Sequence, residues 1–156
     1  MPMRKLSEGD TIPSISLLNP NGKSVSLQSF RGKKLILFFY PKDMTPGCTT
    51  EACNLRDNYA VLQGKGFEII GISTDNETSH TKFASKYQLP YLLLSDINKE
   101  AVNAFGVWGE KKFMGKTHQG TFRTTFIVDE NGVILNRIDK VDTKNHSQQI
   151  LKLISN

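Results

Sequence analysis

Cys48 and Cys53 are the only two thiols in a chain of 156 residues, and both lie in the stretch YPKDMTPGCTTEAC, residues 40–53. A thiol pair can be a structural staple, part of a metal site, inert filler or a redox device. In the last case the reactive species is the thiolate, and helix N-termini or nearby cations lower a cysteine pKa from about 8.5 to between roughly 3.5 and 7.5. Cys48 follows Thr45-Pro46-Gly47. Thr45 stands at the N-cap spacing, and Pro46 suits the first helical position, where its missing N–H has no helical partner to lose. Cys48 is thereby expected in a first helical turn, where unpaired N–H groups and the helix dipole favour negative charge. Reactivity is the expectation; the alternative is a small buried hydrophobe. The Thr45 hydroxyl is expected to cap the helix, a task compatible with a hydrogen bond to whatever meets the sulfur.

Five residues along a helix amount to about 7.5 Å of rise and about 140° of rotation, which puts the two Cα atoms about 8.6 Å apart. Disulfides rarely span more than about 7 Å. If these cysteines pair, the first turns of the helix must unwind, so the bond is a switched state rather than a staple. A metal centre draws little support, because His80, His118 and His146 are scattered and in no ligand spacing with the thiols. The four-residue gap also differs from the C-x-x-C of a thioredoxin-type disulfide exchanger.

The elements that must hold these residues follow from periodicity. Residues 15–17 and 25–27 alternate around Asn19-Pro20-Asn21-Gly22, predicting an N-terminal hairpin. LILFFY (35–40) is continuous and apolar, as in a central strand covered on both faces. From Thr45 to Gly64, Cys48, Ala52, Leu55, Tyr59 and Leu62 line one face of a single helix. Then come a strand at 67–74, an amphipathic helix at 77–88 stopped by Pro90, a strand at 91–96 and a short helix at 98–105. Residues 106–120 are glycine-rich, basic and aperiodic and read as a loop. Strands at 121–129 and 133–141 flank Glu130-Asn131-Gly132, and a last helix from Lys144 turns Ile150, Leu151, Leu153 and Ile154 inward. The sum is one α/β domain, residues 1–156, with a mixed central sheet flanked by helices and an N-terminal β-hairpin, which suits a thioredoxin-like fold.

Composition narrows the classes. Twenty Lys plus Arg against 15 Asp plus Glu give a net charge of +5, but the basic residues are scattered singly and in pairs. That is a solvated surface rather than a nucleic-acid-binding block. No signal-peptide h-region opens the chain, and the apolar run before the motif is too short to cross a membrane. The expectation is a soluble, cytoplasmic protein, and in that reducing setting paired cysteines point to redox chemistry or metal before a permanent disulfide.

Residues 41–48 have the form P-x-x-x-T-x-x-C, which resembles the active site of peroxiredoxins, and the continuation TTEACNLRD resembles their bacterioferritin-comigratory (Q-type) branch. The segments SHTKFASKYQLP, LLSD, FGVWGEKKFMGK and GTFRTTFIVD are similar to that branch in content and order, so the resemblance covers nearly the whole chain. It implies a thiol peroxidase without cofactor or metal. Cys48 is then the peroxidatic cysteine, oxidised to a sulfenic acid; Thr45 bonds the peroxide, Pro41 shields the sulfenic acid, and Arg123 favours the thiolate and polarises the peroxide. Cys53 matches the resolving position, giving an intramolecular disulfide that thioredoxin, or glutaredoxin, reduces through a mixed disulfide. No partner subunit is needed for that step, which implies a monomer.

Without the resemblance, Arg123 reads as a solvent-facing residue of a strand. Glu51 reads as a first-turn acid suited to the helix dipole, with a supporting hydrogen bond as its second role. Trp108 is read as packing or surface, His80 and His118 as polar helix and loop residues, and Lys111, Lys112 and Lys116 as a solvated loop or a contact for an acidic reductant. A peroxide sensor or redox-switched binding protein using the same thiol pair is the competing function.

Overall fold

The computed structural model describes residues 5–154, apart from the side chain of Phe113. The apolar run becomes strand β3 (Lys34–Phe39), and its side chains divide strictly by parity. Leu35, Leu37 and Phe39 enter one buried cluster; Ile36, Phe38 and Tyr40 enter another on the opposite face. A strand covered on both sides needs no polar face, which is why the run is unbroken.

Around it assembles a seven-stranded mixed sheet in the order β2-β1-β5-β4-β3-β8-β9. Its other strands are β1 (Ser16–Leu18), β2 (Ser24–Ser26), β4 (Phe67–Ser73), β5 (Leu92–Ser95), β8 (Thr124–Val128) and β9 (Ile134–Ile138). β4 runs parallel to β3 and β5, while β8 is antiparallel to β3 and β9. The expected N-terminal hairpin is the antiparallel pair β1 and β2. Helices α1 (Pro46–Asp57), α2 (Tyr59–Gly64), α3 (Glu77–Tyr87) and α5 (His146–Ile154) bury residues in the cluster that holds Tyr40 and Cys48; α4 (Glu100–Ala104) packs on the other face. None of the described helices is long and apolar enough to cross a membrane.

Four expectations need correction. The single helix to Gly64 is broken at Asn58, whose side-chain amide donates to the Asn54 carbonyl at 2.9 Å and so competes with the backbone ladder. The loop at 106–120 is an antiparallel hairpin, β6 (Trp108–Phe113) with β7 (Lys116–Thr121). It stands apart from the main sheet, so no alternation marked it. Its turn places Met114 and Gly115 at positive φ, and Met is not a residue from which that conformation is read. Arg123 lies between β7 and β8 rather than within a strand. Leu153 faces outward, 41% exposed, while Ile150 is fully buried.

One glycine is fixed by packing. A Cβ on Gly71 of β4 would sit 2.7 Å from Phe38 Cζ and 2.8 Å from Leu93 Cδ2, inside contact distance of both flanking strands. Gly71→Ala is therefore expected to destabilise the fold by about 1–3 kcal/mol through overpacking. Urea unfolding should give a lower midpoint at unchanged slope; an unshifted midpoint would contradict this packing.

Candidate active site

Phe39, the last residue of β3, pairs with Thr124, the first of β8. The loop into α1 and the segment carrying Arg123 therefore leave the same end of adjacent strands. This register brings together residues that lie 75 apart in sequence: Arg123 Nη2 donates to Cys48 Sγ at 3.4 Å and Arg123 Nη1 to Glu51 Oε1 at 2.7 Å. Cys48 is buried and is the third residue of α1, at a helix N-terminus as expected. Gly47 lets the guanidinium approach, since a Cβ there would lie 3.2 Å from Arg123 Nη2. Burial works against the Arg123 charge, but Cys48 and Glu51 more than offset it and hold the guanidinium firmly protonated.

Glu51 is the sixth residue of α1, outside the first turn, so the dipole does not explain it. It is completely buried, and burial pushes its carboxyl up to about 7 against the pull of Arg123. Its second oxygen, Oε2, has no hydrogen-bond partner and lies 3.6 Å from His146 Nε2. His146 was not singled out by the sequence for this place. Its ring bridges Gln149 Oε1 at 2.9 Å and the Thr125 hydroxyl at 2.7 Å. Gln149 Oε1 also accepts from the Asp142 amide, so the His146 Nδ1–H donates and its Nε2 accepts. Burial drives this ring down to about 4, leaving it neutral.

Thr45 occupies the N-cap position, and Pro46 the first helical one, but the expected cap bond is not made. The Thr45 hydroxyl donates instead to the Lys42 carbonyl at 2.8 Å, which leaves its oxygen free to accept. Pro41 is half-buried in the loop between β3 and α1.

Cys53 lies on the same unbroken helix as Cys48; both thiols are free, and Cys53 is half-buried. Burial raises the Cys53 pKa, Arg56 lowers it and Asp57 raises it, with a net upward shift that keeps this sulfur a thiol. The helix around and beyond Cys53 is tied down. Tyr91 Oη donates to the Ala52 carbonyl at 2.7 Å, Ser147 N donates to Asn54 Oδ1 at 2.7 Å, and Arg56 Nη1 donates to the Tyr87 carbonyl at 2.8 Å.

The loop before α1 is held by a network that the sequence reading missed. The buried Asp43 carboxylate accepts from Tyr40 Oη at 2.6 Å and Ser79 Oγ at 2.7 Å, and lies 2.7 Å from His80 Nδ1. Asp43 N donates to Asp75 Oδ2, and His80 Nε2 meets the Leu94 carbonyl. His80 is a polar helix residue as expected, but a fully buried one; its position one turn before Phe83, on the apolar face of α3, is the signal for that burial. Asp43, Asp75 and His80 form a trio with ligand atoms within 4.8 Å, but these atoms are already engaged in the bonds just given. His118 is exposed on β7, and Trp108 packs against the core with Lys99 Nζ 5.5 Å from its ring centre.

The chain matches the model of the AhpC/TSA family over residues 9–137. It is 46% identical over 149 residues to a putative peroxiredoxin Bcp of Haemophilus influenzae and 44% identical to peroxiredoxin Bcp of Escherichia coli K12, covering 96% of each chain in both comparisons. Among solved structures it is similar to the bacterioferritin comigratory protein of Xanthomonas campestris, studied for its alkyl peroxide reduction activity. That likeness has a TM-score of 0.85 at 29% identity, over 94% of this chain and 98% of the other.

The two buried titrating groups give opposite pH dependences. Between 4.5 and about 7 the folded chain keeps a proton on Glu51 that the unfolded chain has lost, so this contribution to stability falls as pH rises. Between 6.5 and about 4 the unfolded chain protonates His146 while the folded chain does not, so this contribution falls as pH drops. Across their overlap the two cancel. Glu51→Gln should expose a stability that rises with pH from about 4 to about 6.5, and His146→Gln one that falls with rising pH. Each slope approaches about 1.4 kcal/mol per pH unit. Urea midpoints across this range check both signs; parallel profiles for the two variants would contradict the assignment.

Proposed function

Because the chain belongs to the AhpC/TSA family and, within it, to the Bcp or Q-type peroxiredoxins, we propose that its peroxidase chemistry begins at Cys48 and is completed by Cys53. The observation that carries this reading is the Arg123 guanidinium shared between the Cys48 sulfur and Glu51. A guanidinium donating to sulfur favours thiolate over thiol, and the first-turn N–H groups of α1 add to it.

The thiolate attacks one oxygen of a hydroperoxide. An S–O bond forms, the O–O bond breaks, and the departing oxygen takes a proton to leave as water or an alcohol. Cys48 becomes a sulfenic acid. Thr45, whose hydroxyl proton is committed to the Lys42 carbonyl, accepts the peroxide O–H, and Pro41 shields the oxidised sulfur from water. Arg123 stabilises the charge as it moves from sulfur to oxygen. Hydrogen peroxide and organic hydroperoxides are the substrates of this reading.

Oxidation also removes the negative charge that Arg123 bonds, and with it one of the ties on the first turns of α1. The C-terminal half of the helix keeps its ties through Asn54, Arg56 and Tyr91, so opening falls on residues 46–51. The Cys53 thiol then condenses with the sulfenic acid, forming the S–S bond and releasing water. Thioredoxin or glutaredoxin reduces the product by dithiol exchange. The cycle needs no metal, no cofactor and no second subunit, and a monomer in the cytoplasm suffices.

Reduced protein mixed with thioredoxin, its reductase and NADPH should consume NADPH continuously when peroxide is added. A peroxide sensor would stop after one equivalent. Cys48→Ser should abolish turnover. Mass spectrometry of peroxide-treated protein should find the Cys48–Cys53 disulfide within one chain, and in Cys53→Ser a sulfenic or overoxidised Cys48. Retained turnover in Cys48→Ser, or a dominant intermolecular disulfide, would sink the mechanism.

A further inference from the structure

The strands of the β6–β7 hairpin face each other at Gly109 and Gly120, and each glycine leaves room for a side chain beside the Arg123 segment. A Cβ on Gly109 would lie 2.9 Å from Phe122 Cε2, and one on Gly120 would lie 3.0 Å from Lys111 Cδ. Lys111 shares the hairpin face of Gly120, diagonally across the strand pair. Its stem passes over this glycine, and its Nζ donates to the Thr121 carbonyl at 2.9 Å. Thr121 ends β7; Phe122 and Arg123 follow. Among the described residues no carboxylate pairs with the half-buried Lys111, whose cross-strand partner is His118. A carbonyl holds an ammonium in place without neutralising it.

We propose that Lys111 is a second cationic positioning residue of the Cys48 site. It clamps the backbone two residues before Arg123 and adds its field to that of the guanidinium. This rests on the reading of Cys48 as the peroxide nucleophile. While the S–O bond forms and the O–O bond breaks, negative charge passes from sulfur to the departing oxygen, which is finally protonated by water. A second fixed cation stabilises both ends of that transfer. The Lys111 ammonium senses both members of the pair: burial lowers its pKa, the charge of Arg123 lowers it further, and Cys48 raises it.

The test uses a Cys53→Ser background, in which Cys48 is the only thiol, and follows alkylation by iodoacetamide from about pH 5 to about pH 10. Lys111→Met should react roughly three- to ten-fold more slowly at about pH 6, with the gap closing near pH 10, where ordinary thiols are largely ionised. Lys111→Arg should restore the rate. Gly120→Ala, which keeps the ammonium but obstructs its path, should move the profile the same way as Lys111→Met. Near-UV circular dichroism establishes that each variant is folded. A Lys111→Met profile that superimposes on its parent, or a deficit equal at both ends of the pH range, overturns the proposal. Failure of the peroxidase reading appears separately, as a wild-type protein that consumes no peroxide, and leaves the alkylation profiles interpretable.

Discussion

The rest of the site depends on where one guanidinium sits. Arg123 must be close enough to donate to the Cys48 sulfur and to Glu51 at once, and three independent elements combine to put it there. The pairing of Phe39 with Thr124 sets the level at which both segments leave the sheet, Gly47 leaves the space the guanidinium enters, and the β6–β7 hairpin delivers the chain that precedes it.

That division explains what could be read from the chain. LILFFY, the N-terminal hairpin and the helical face of Cys48, Ala52 and Leu55 are legible because burial imposes a period on neighbouring residues. The P-x-x-x-T-x-x-C motif is legible because its residues are contiguous, running from the loop after β3 into the first turn of α1. Arg123 taken alone looks like a surface cation, since its partners lie 75 and 72 residues away. The β6–β7 hairpin escapes for the opposite reason: it contributes little to the core, so no alternation marks it, and its turn uses Met114 where Asn or Asp would have been a signal. The capping expectation for Thr45 identified the right position and the wrong bond, because a hydroxyl can serve either its own loop or the helix and the sequence does not rank the two.

The buried charges around Cys48 balance as a group rather than in pairs. A neutral His146 and a Glu51 held up to about 7 leave the Arg123 charge to be shared with the sulfur. Glu51 Oε2 is buried without a hydrogen-bond partner, in keeping with the burial that pushes this carboxyl up to about 7. The Asp43 network plays the complementary part, fixing the backbone of the loop from which Thr45 extends.

The ties on the far half of α1 have a kinetic consequence. With Ala52, Asn54 and Arg56 anchored, the opening of the first turns in the proposed cycle is a local event with its own rate, set by a few residues. In that cycle an oxidised Cys48 faces two clocks: the opening of its helix, which is independent of oxidant, and a second encounter with peroxide, which quickens in proportion to concentration. Their crossing defines an oxidant level above which the sulfur is lost to the irreversible rungs of oxidation. The tightness with which a single helix turn is packed thus becomes a dose threshold.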